Sequence, residues 1–360
     1  MWMGIDIGTG SSRALLVDER GAVRAGFSAP HEDMRMERPL WAEQRPENWW
    51  AAAVDAIRGV LAAAGVPGSD VKGIGLSGQM HGLVILDADH RVIRPSLIWC
   101  DQRSQAQVDA VNSKVGREKI LQYIANPVLT GFTLPKLLWV RDNEPRNFER
   151  VRKMLLPKDY VRFRLTGEFA SEVSDASGTA VFDVVNRRWS FDMMDALGLD
   201  RAILPECHES SDVTGRISAA VAELTGLRAG TPVVGGGGDQ ASSAVGNGIV
   251  EEGIVSCTLG TSGVVFAHME KVAYDPAGRI HTFCHAVRDK WHVMGVTQGA
   301  GLSLQWLRNQ LAPGTSYDAL TAEAAKAPAG AQGLFWLPYL MGERTPHLDA
   351  TARGGWLGLT

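Results

Sequence analysis

The segment GIVSCTLGTSGVVFAHM, beginning at Gly253, repeats in outline the start of the chain, GIDIGTGSSRALLVDE from Gly4: an apolar strand, a Gly-Thr turn, a second strand. No other feature constrains the fold as much. Two stretches that each open a half of the chain with the same hairpin predict duplicated domains facing each other across a cleft. The boundary falls near Gly246–Gly253, giving domains of residues 1–248 and 249–360. The remainder fits an α/β core, because strands are followed by helices. RPENWWAAAVDAIRGVLAAAG places Pro46 at a helix start, Trp50, Val54, Ile57 and Leu61 on one face, and Gly65 at its end. VKGIGLSG reads as another strand, and GLVILDADHRVI as a hairpin turning at Asp-Ala-Asp-His.

Composition excludes several classes of function. A net charge of -4 gives no reason to expect nucleic acid or an anionic membrane as partner. No run is long enough to span a bilayer, and the N-terminus lacks the pattern of a signal peptide. The four cysteines form no CxxC pair, which argues against a zinc site or a disulfide framework and fits a reducing cytoplasm. The last residues, RGGWLGLT, are apolar and glycine-rich, so a chain truncated at Thr360 is the expectation.

Asp6 stands between Ile5 and Ile7 in the first strand, where a carboxylate is costly unless its charge is compensated. The two turns, Gly8-Thr9-Gly10-Ser11-Ser12-Arg13 and Gly260-Thr261-Ser262-Gly263, combine backbone able to bring N–H groups against an anion with hydroxyl donors. One such turn alone is better read as hairpin chemistry. Two copies at the heads of matching halves favour phosphate binding instead. TPVVGGGGDQASSAVGNG then feeds a short strand into four glycines and leaves Asp239 at the mouth of the strand, where α/β enzymes commonly do chemistry. A plain helix N-cap at Asp239 is the competing reading of that segment. Asp6 and Asp239 form a candidate pair for phosphoryl transfer, with Mg²⁺ or its water shell, or a neighbouring cation, against Asp6.

Two patterns mislead. GIGLSG (Gly73–Gly78) matches GxGxxG but is followed by loop and strand instead of a helix, and no GxxxxGK[ST] occurs. SGQMHG, with Gln79, Met80 and His81, and IWCDQRS, with Asp101 and Arg103, carry polar groups suited to a sugar, although Asp101 and Arg103 also read as an ion pair. Trp49, Trp50, Trp139 and Trp306 read as core.

Together, GIDIGTGSSR, WAEQRPENWW, SGQMHG, IWCDQRS, GFTLPKLLWVRDNEP, LLPKDYVRFRLTGE, SDASGT, GGGGDQ, CTLGTSG and LPYLMGERTPHLDATARGGWLGLT resemble the FGGY family of carbohydrate kinases along the whole chain. Lys136 and Trp139 fall at the expected places of the family's first signature. The resemblance implies two actin-like, ribonuclease H-like domains closing on a sugar and ATP. It implies Asp239 as general base, Asp6 on the metal and phosphate side, Met80, His81 and Gln240 at the sugar, and Gly260–Gly263 as second phosphate loop. Met-His-Gly points to D-xylulose as acceptor, since glycerol kinases carry an Arg-Glu pair in that loop; ribulose, glycerol or gluconate are the alternatives, and a non-catalytic actin-like nucleotide-binding module is a more distant one. The resemblance also implies a homodimer, and a continuation past Gly-Leu-Thr that holds adenine, without which this chain keeps its sugar contacts but turns over poorly.

Overall fold

The computed structural model describes residues 1–349 and 351–360. The first half is built on a seven-stranded sheet. Its strands are β1 (Trp2–Ile7), β2 (Ser11–Val17), β3 (Val23–Pro30), β4 (Gly73–Gly78), β5 (Val213–Arg216), β6 (Pro232–Val234) and β7 (Gly237–Gly238). The order is β5-β6-β4-β1-β2-β3, with β7 also paired to β4. β1, β2 and β3 form an antiparallel meander, whereas β1, β6 and β7 all run parallel to β4. The register aligns Ile7 and Gly238 with Gly78 on its two sides, so three parallel strands end in one row.

Alternation explains how β1 is seated: Met3, Ile5 and Ile7 are buried while Gly4 and Asp6 face the other side. Helix α1 (Pro46–Ala64) covers the apolar side, opening at Pro46 and ending at Gly65 in the left-handed region (φ 63°) as its sequence predicts. Its buried face is centred on Trp49, Ala53, Ile57 and Val60, one position round from the face predicted, so Trp50 is only partly covered.

The other helices needed here are α2 (Thr133–Asn143), α3 (Pro157–Thr166), α4 (Val173–Ala176), α5 (Asp239–Gly246) and α6 (Gly301–Leu311). The second half carries β8 (Val255–Leu259), β9 (Gly263–Met269), β10 (His281–Cys284) and β11 (Trp291–Thr297), in the order β8-β9-β11-β10. The run β8-β9-β11 is antiparallel throughout and repeats the meander β1-β2-β3. One apolar cluster joins Met80, Phe132, Leu134 and Leu137 of the first half to Phe283 and Met294 of the second. Two expectations change. The strand Val84–Leu86 pairs mainly with Lys153–Leu155, although the turn at Asp87–Arg91 forms. Trp306 is not core: it is half-buried and stacked on Trp336 at 5.2 Å. No helix among the described residues is long and apolar enough to cross a membrane.

Candidate active site

Asp6 stands level with Ser77 of β4, and Ser77 in turn with Gly237 of β7, so the strand ends bring Asp6 and Asp239 together from opposite ends of the first half. Asp239 is the first residue of α5, and Gly238 occupies the N-cap position without a side-chain cap. The carboxylate of Asp239 is therefore not consumed as a cap. Burial and the negative field of Asp6 raise it to about 6, and hydrogen bonds with Gln240 oppose that rise. Gln240 thus hydrogen-bonds to Asp239.

The glycine run has a steric reason. Gly236 has φ +82°, and a Cβ there would lie 2.1 Å from the Leu76 carbonyl oxygen; at Gly238 a Cβ would press on the Met80 side chain at 3.0 Å. Bare backbone at position 238 is what lets Met80 pack against the residue preceding Asp239. That same residue is held from below: the Gly238 N–H donates to Ser174 Oγ (3.1 Å), whose hydroxyl donates to Glu172 Oε1 (3.0 Å). Glu172 also accepts from the Ser174 and Asp175 amides at the start of α4 and from Ser210 Oγ (2.6 Å). Fully buried Lys158 closes the network, with Nζ 2.6 Å from Asp159 and 3.3 Å from Glu172. Burial opposes its charge, yet Asp159, Glu172 and Asp175 keep the ammonium protonated, while burial drives Asp175 toward the neutral acid.

The first Gly-Thr loop is braced through its carbonyls. Gly8 O accepts from Gln79 Nε2 (3.2 Å), Thr9 O from Gln44 Nε2 (2.6 Å), and Gly10 O from the His31 amide (2.9 Å). The amides of Thr9 and Gly10 donate to no acceptor among the described residues. Trp99 Nε1 donates to Thr9 Oγ1 (3.0 Å). The second loop follows the same scheme: Gly260 O and Thr261 O accept from Gly301 (2.8 Å) and Leu302 (3.2 Å) at the start of α6, and the Thr261 and Ser262 amides donate to no acceptor among the described residues. Both loops therefore present N–H groups, the arrangement that suits phosphate oxygens. β9, which leaves the second loop, packs Phe266 against Ala244 of α5.

Alternation along β2 divides the remaining predicted residues. Arg13 is exposed opposite Asp6 without forming an ion pair with it. Ser12 points the other way: it is fully buried, 2.9 Å from His31 Nε2 and 3.4 Å from the Trp49 carbonyl, so it braces the hairpin instead of facing a nucleotide. Gln79 is likewise turned into the protein, toward Gly8 and Gln44. Asp101 and Arg103 form a buried pair (2.7 Å); Asp101 also accepts from the Ala42 amide (2.7 Å), and Arg103 reaches Glu43 (2.7 Å) over the Trp41 ring. Their charges meet each other and the segment that carries Gln44, so they act on the first loop through that segment.

His81 has φ +69° and is held by four contacts. Its Nδ1–H donates to Gly178 O (2.9 Å), its ring stacks on Phe132 (4.9 Å), and its carbonyl accepts from Thr133 Oγ1 (3.1 Å) and Lys136 Nζ (3.2 Å). Burial, then the Lys136 charge, holds the imidazole well below its ordinary range, so it is neutral. Lys136 itself is pushed down to about 7 by burial, against the pull of Asp101. Sequence reasoning located Lys136 only as a signature position, and missed Ser174, Glu172, Gln44 and His31. SDASGT carries Ser174, but nothing local marks its contact with Gly238, 64 residues away.

Asp6 has no hydrogen bond or ion pair among the described residues, and its Oδ2 faces the bare backbone of Gly8. No cluster of three or more metal-ligating side chains occurs among the described residues. Two convergent carboxylates beside amides with no acceptor of their own nevertheless suit a hard cation that takes the rest of its oxygen ligands from water and phosphate.

Comparison with known proteins identifies the family. The sequence profile of the FGGY family of carbohydrate kinases, N-terminal domain, matches residues 1–246, and that of the C-terminal domain matches residues 255–360. The chain is 42% identical over 362 residues to the xylulose kinase of Escherichia coli (strain K12), covering 100% of this chain and 73% of that protein. It is 41% identical over 357 residues to the xylulose kinase of Bacillus subtilis (strain 168), covering 99% and 71%. The crystal structure of a xyloylose kinase from Brucella ovis superposes with a TM-score of 0.94 at 40% identity, covering 100% of this chain and 73% of that one.

Proposed function

The chain belongs to the FGGY family of carbohydrate kinases, and from that membership we propose that it transfers the γ-phosphoryl group of ATP to the terminal hydroxyl of D-xylulose, giving D-xylulose 5-phosphate and ADP. It is an ATP-dependent sugar kinase. The observation that carries the site assignment is the convergence of Asp6, Asp239 and the Met80–His81 loop at one row of strand ends.

In this mechanism Met80 and His81 bind the sugar, and Asp239 takes the proton of its terminal hydroxyl while that oxygen attacks the γ-phosphorus and the bond to the ADP oxygen breaks. The proton leaves later to water. A carboxylate at about 6 is deprotonated at neutral pH yet basic enough to accept a proton as the bond forms. Gly238 and Ser174 fix where that carboxylate stands. The amides of Thr9, Gly10, Thr261 and Ser262 bind phosphate oxygens. Mg²⁺, held by Asp6 through water, would neutralise phosphate charge. Of the domains of residues 1–248 and 249–360, the first then carries the Met80–His81 loop, the base and one phosphate loop, and the second carries the other phosphate loop.

ADP release from Mg-ATP by the protein carrying this chain, compared for D-xylulose, D-ribulose, glycerol and gluconate, tests the substrate. D-Xylulose is expected to give the highest kcat/KM. A preference for another acceptor would overturn the substrate and leave the kinase standing.

A further inference from the structure

Arg344 is a cation that the mechanism above does not use. Its neighbour Glu343 is buried, but its carboxylate is occupied elsewhere: Oε2 accepts from Thr297 Oγ1 (2.6 Å), and Oε1 from the amides of Gln298 (3.1 Å) and Arg344 itself (2.7 Å). On the other side, Thr345 exchanges hydrogen bonds with Val296 in β11 (3.0 and 3.2 Å). The backbone of Arg344 is thereby fixed between two anchored residues.

The guanidinium has no hydrogen bond or ion pair of its own among the described residues. Its Nη2 lies against the bare backbone of Gly131, 2.8 Å from where a Cβ would stand. The titratable groups around it are Lys136, His81, His281 and Cys100, and apart from Glu343 no carboxylate is among them. A half-buried guanidinium, desolvated and among cationic or neutral groups, is costly unless oxygen acceptors meet it.

The sugar loop gives these acceptors a direction. Met80 touches Gly238 beside Asp239, while the next residue, His81, lies in the field of Arg344. Arg344 meets Gly131, the residue before Phe132, whose ring stacks on His81, whereas Met80 at the other side of the loop meets Gly238 beside Asp239. Arg344 is thereby on the His81 side of the loop and Asp239 on the Met80 side. We propose that Arg344 donates to the oxygens on C1 and C2 of the ketose, which makes the second half of the chain a specificity element of the sugar pocket. A forked guanidinium suits two adjacent oxygens, one carbonyl and one hydroxyl, better than a lysine does. The assignment rests on the substrate reading given above.

Calorimetric titration with D-xylulose and with 1-deoxy-D-xylulose, on the unsubstituted protein, Arg344→Met and Arg344→Lys, tests it. Arg344→Met is expected to weaken D-xylulose binding about tenfold to a hundredfold, the range for hydrogen bonds to a charged group. Its effect on the 1-deoxy analogue should be several-fold smaller, Arg344→Lys should fall between the two proteins, and the affinity for ATP should stay unchanged. Unaltered D-xylulose binding by Arg344→Met, or equal losses for both sugars, would overturn the assignment. Failure of the unsubstituted protein to bind D-xylulose would overturn the substrate reading, and this assignment with it.

Discussion

In the first Gly-Thr hairpin, β1 lies between β2 and β4 and buries Met3, Ile5 and Ile7 against α1; in the second, β8 is an edge strand with Val255 57% and Leu259 77% exposed. Yet the two turns present the same arrangement, carbonyls tied down and two successive amides left over. Turn chemistry is thus local and survives very different surroundings. The surroundings decide something else: among the described residues, the first hairpin alone shares its strand ends with Asp6, Asp239 and the Met80–His81 loop. Chemistry and core stability should therefore coincide in the first half and separate in the second.

The largest expected effect sharpens that contrast. Asp239→Asn should lower kcat by about a hundredfold to ten-thousandfold, the usual contribution of a general base, with D-xylulose binding little changed in a titration. Thr261→Val in the second loop removes one hydroxyl and keeps the amide, so its loss of kcat/KM should be only about tenfold. Near-normal turnover by Asp239→Asn would remove it as the base and dissolve the contrast. Next in size is stability. Ile7→Ala, fully buried, should cost about 2–5 kcal/mol in urea unfolding, whereas Leu259→Ala should stay within about 0.5 kcal/mol; equal costs would show the second hairpin to be as deeply packed as the first. The smallest effect is on pH dependence. Because Asp239 must be unprotonated to act and its carboxyl sits at about 6, kcat/KM should fall as pH drops through that value and level off above it. Asp6→Asn removes one of the two influences that raise it, so the acid limb should move to lower pH. A limb that stays in place would mean Asp6 does not act on Asp239.

The contrast was partly legible in the sequence. Strand alternation, Pro46 and Gly65 predict β1 and α1 well, since each is a matter of local sterics and burial. Asp239 stands out in the sequence because a mere cap does not need four glycines, and the close approaches at Gly236 and Gly238 give two of those glycines a steric reason. That Ser12 and Gln79 turn into the protein was not legible, because membership of a motif does not say which way a side chain turns; alternation along β2 sends Ser12 to the α1 side. Asp101 with Arg103 could be read either as sugar ligands or as a pair, and only burial and the Ala42 and Glu43 contacts favour the pair. Ser174, Lys136 and Arg344 matter through partners dozens to hundreds of residues away, and a single sequence holds no record of such contacts.

The alignment of β1 and β7 on β4 also bears on biosynthesis. The partner carboxylate of Asp6 is made 233 residues after it (239 minus 6), on the order of ten seconds or more later at ordinary elongation rates. β1 can pair with β2 and β4 well before then, since all three lie within the first 78 residues. The nascent first half thus folds around an incomplete pair of carboxylates, and the site comes into being when β7 docks beside β4. A partly translated chain can be structured long before it has a catalytic centre.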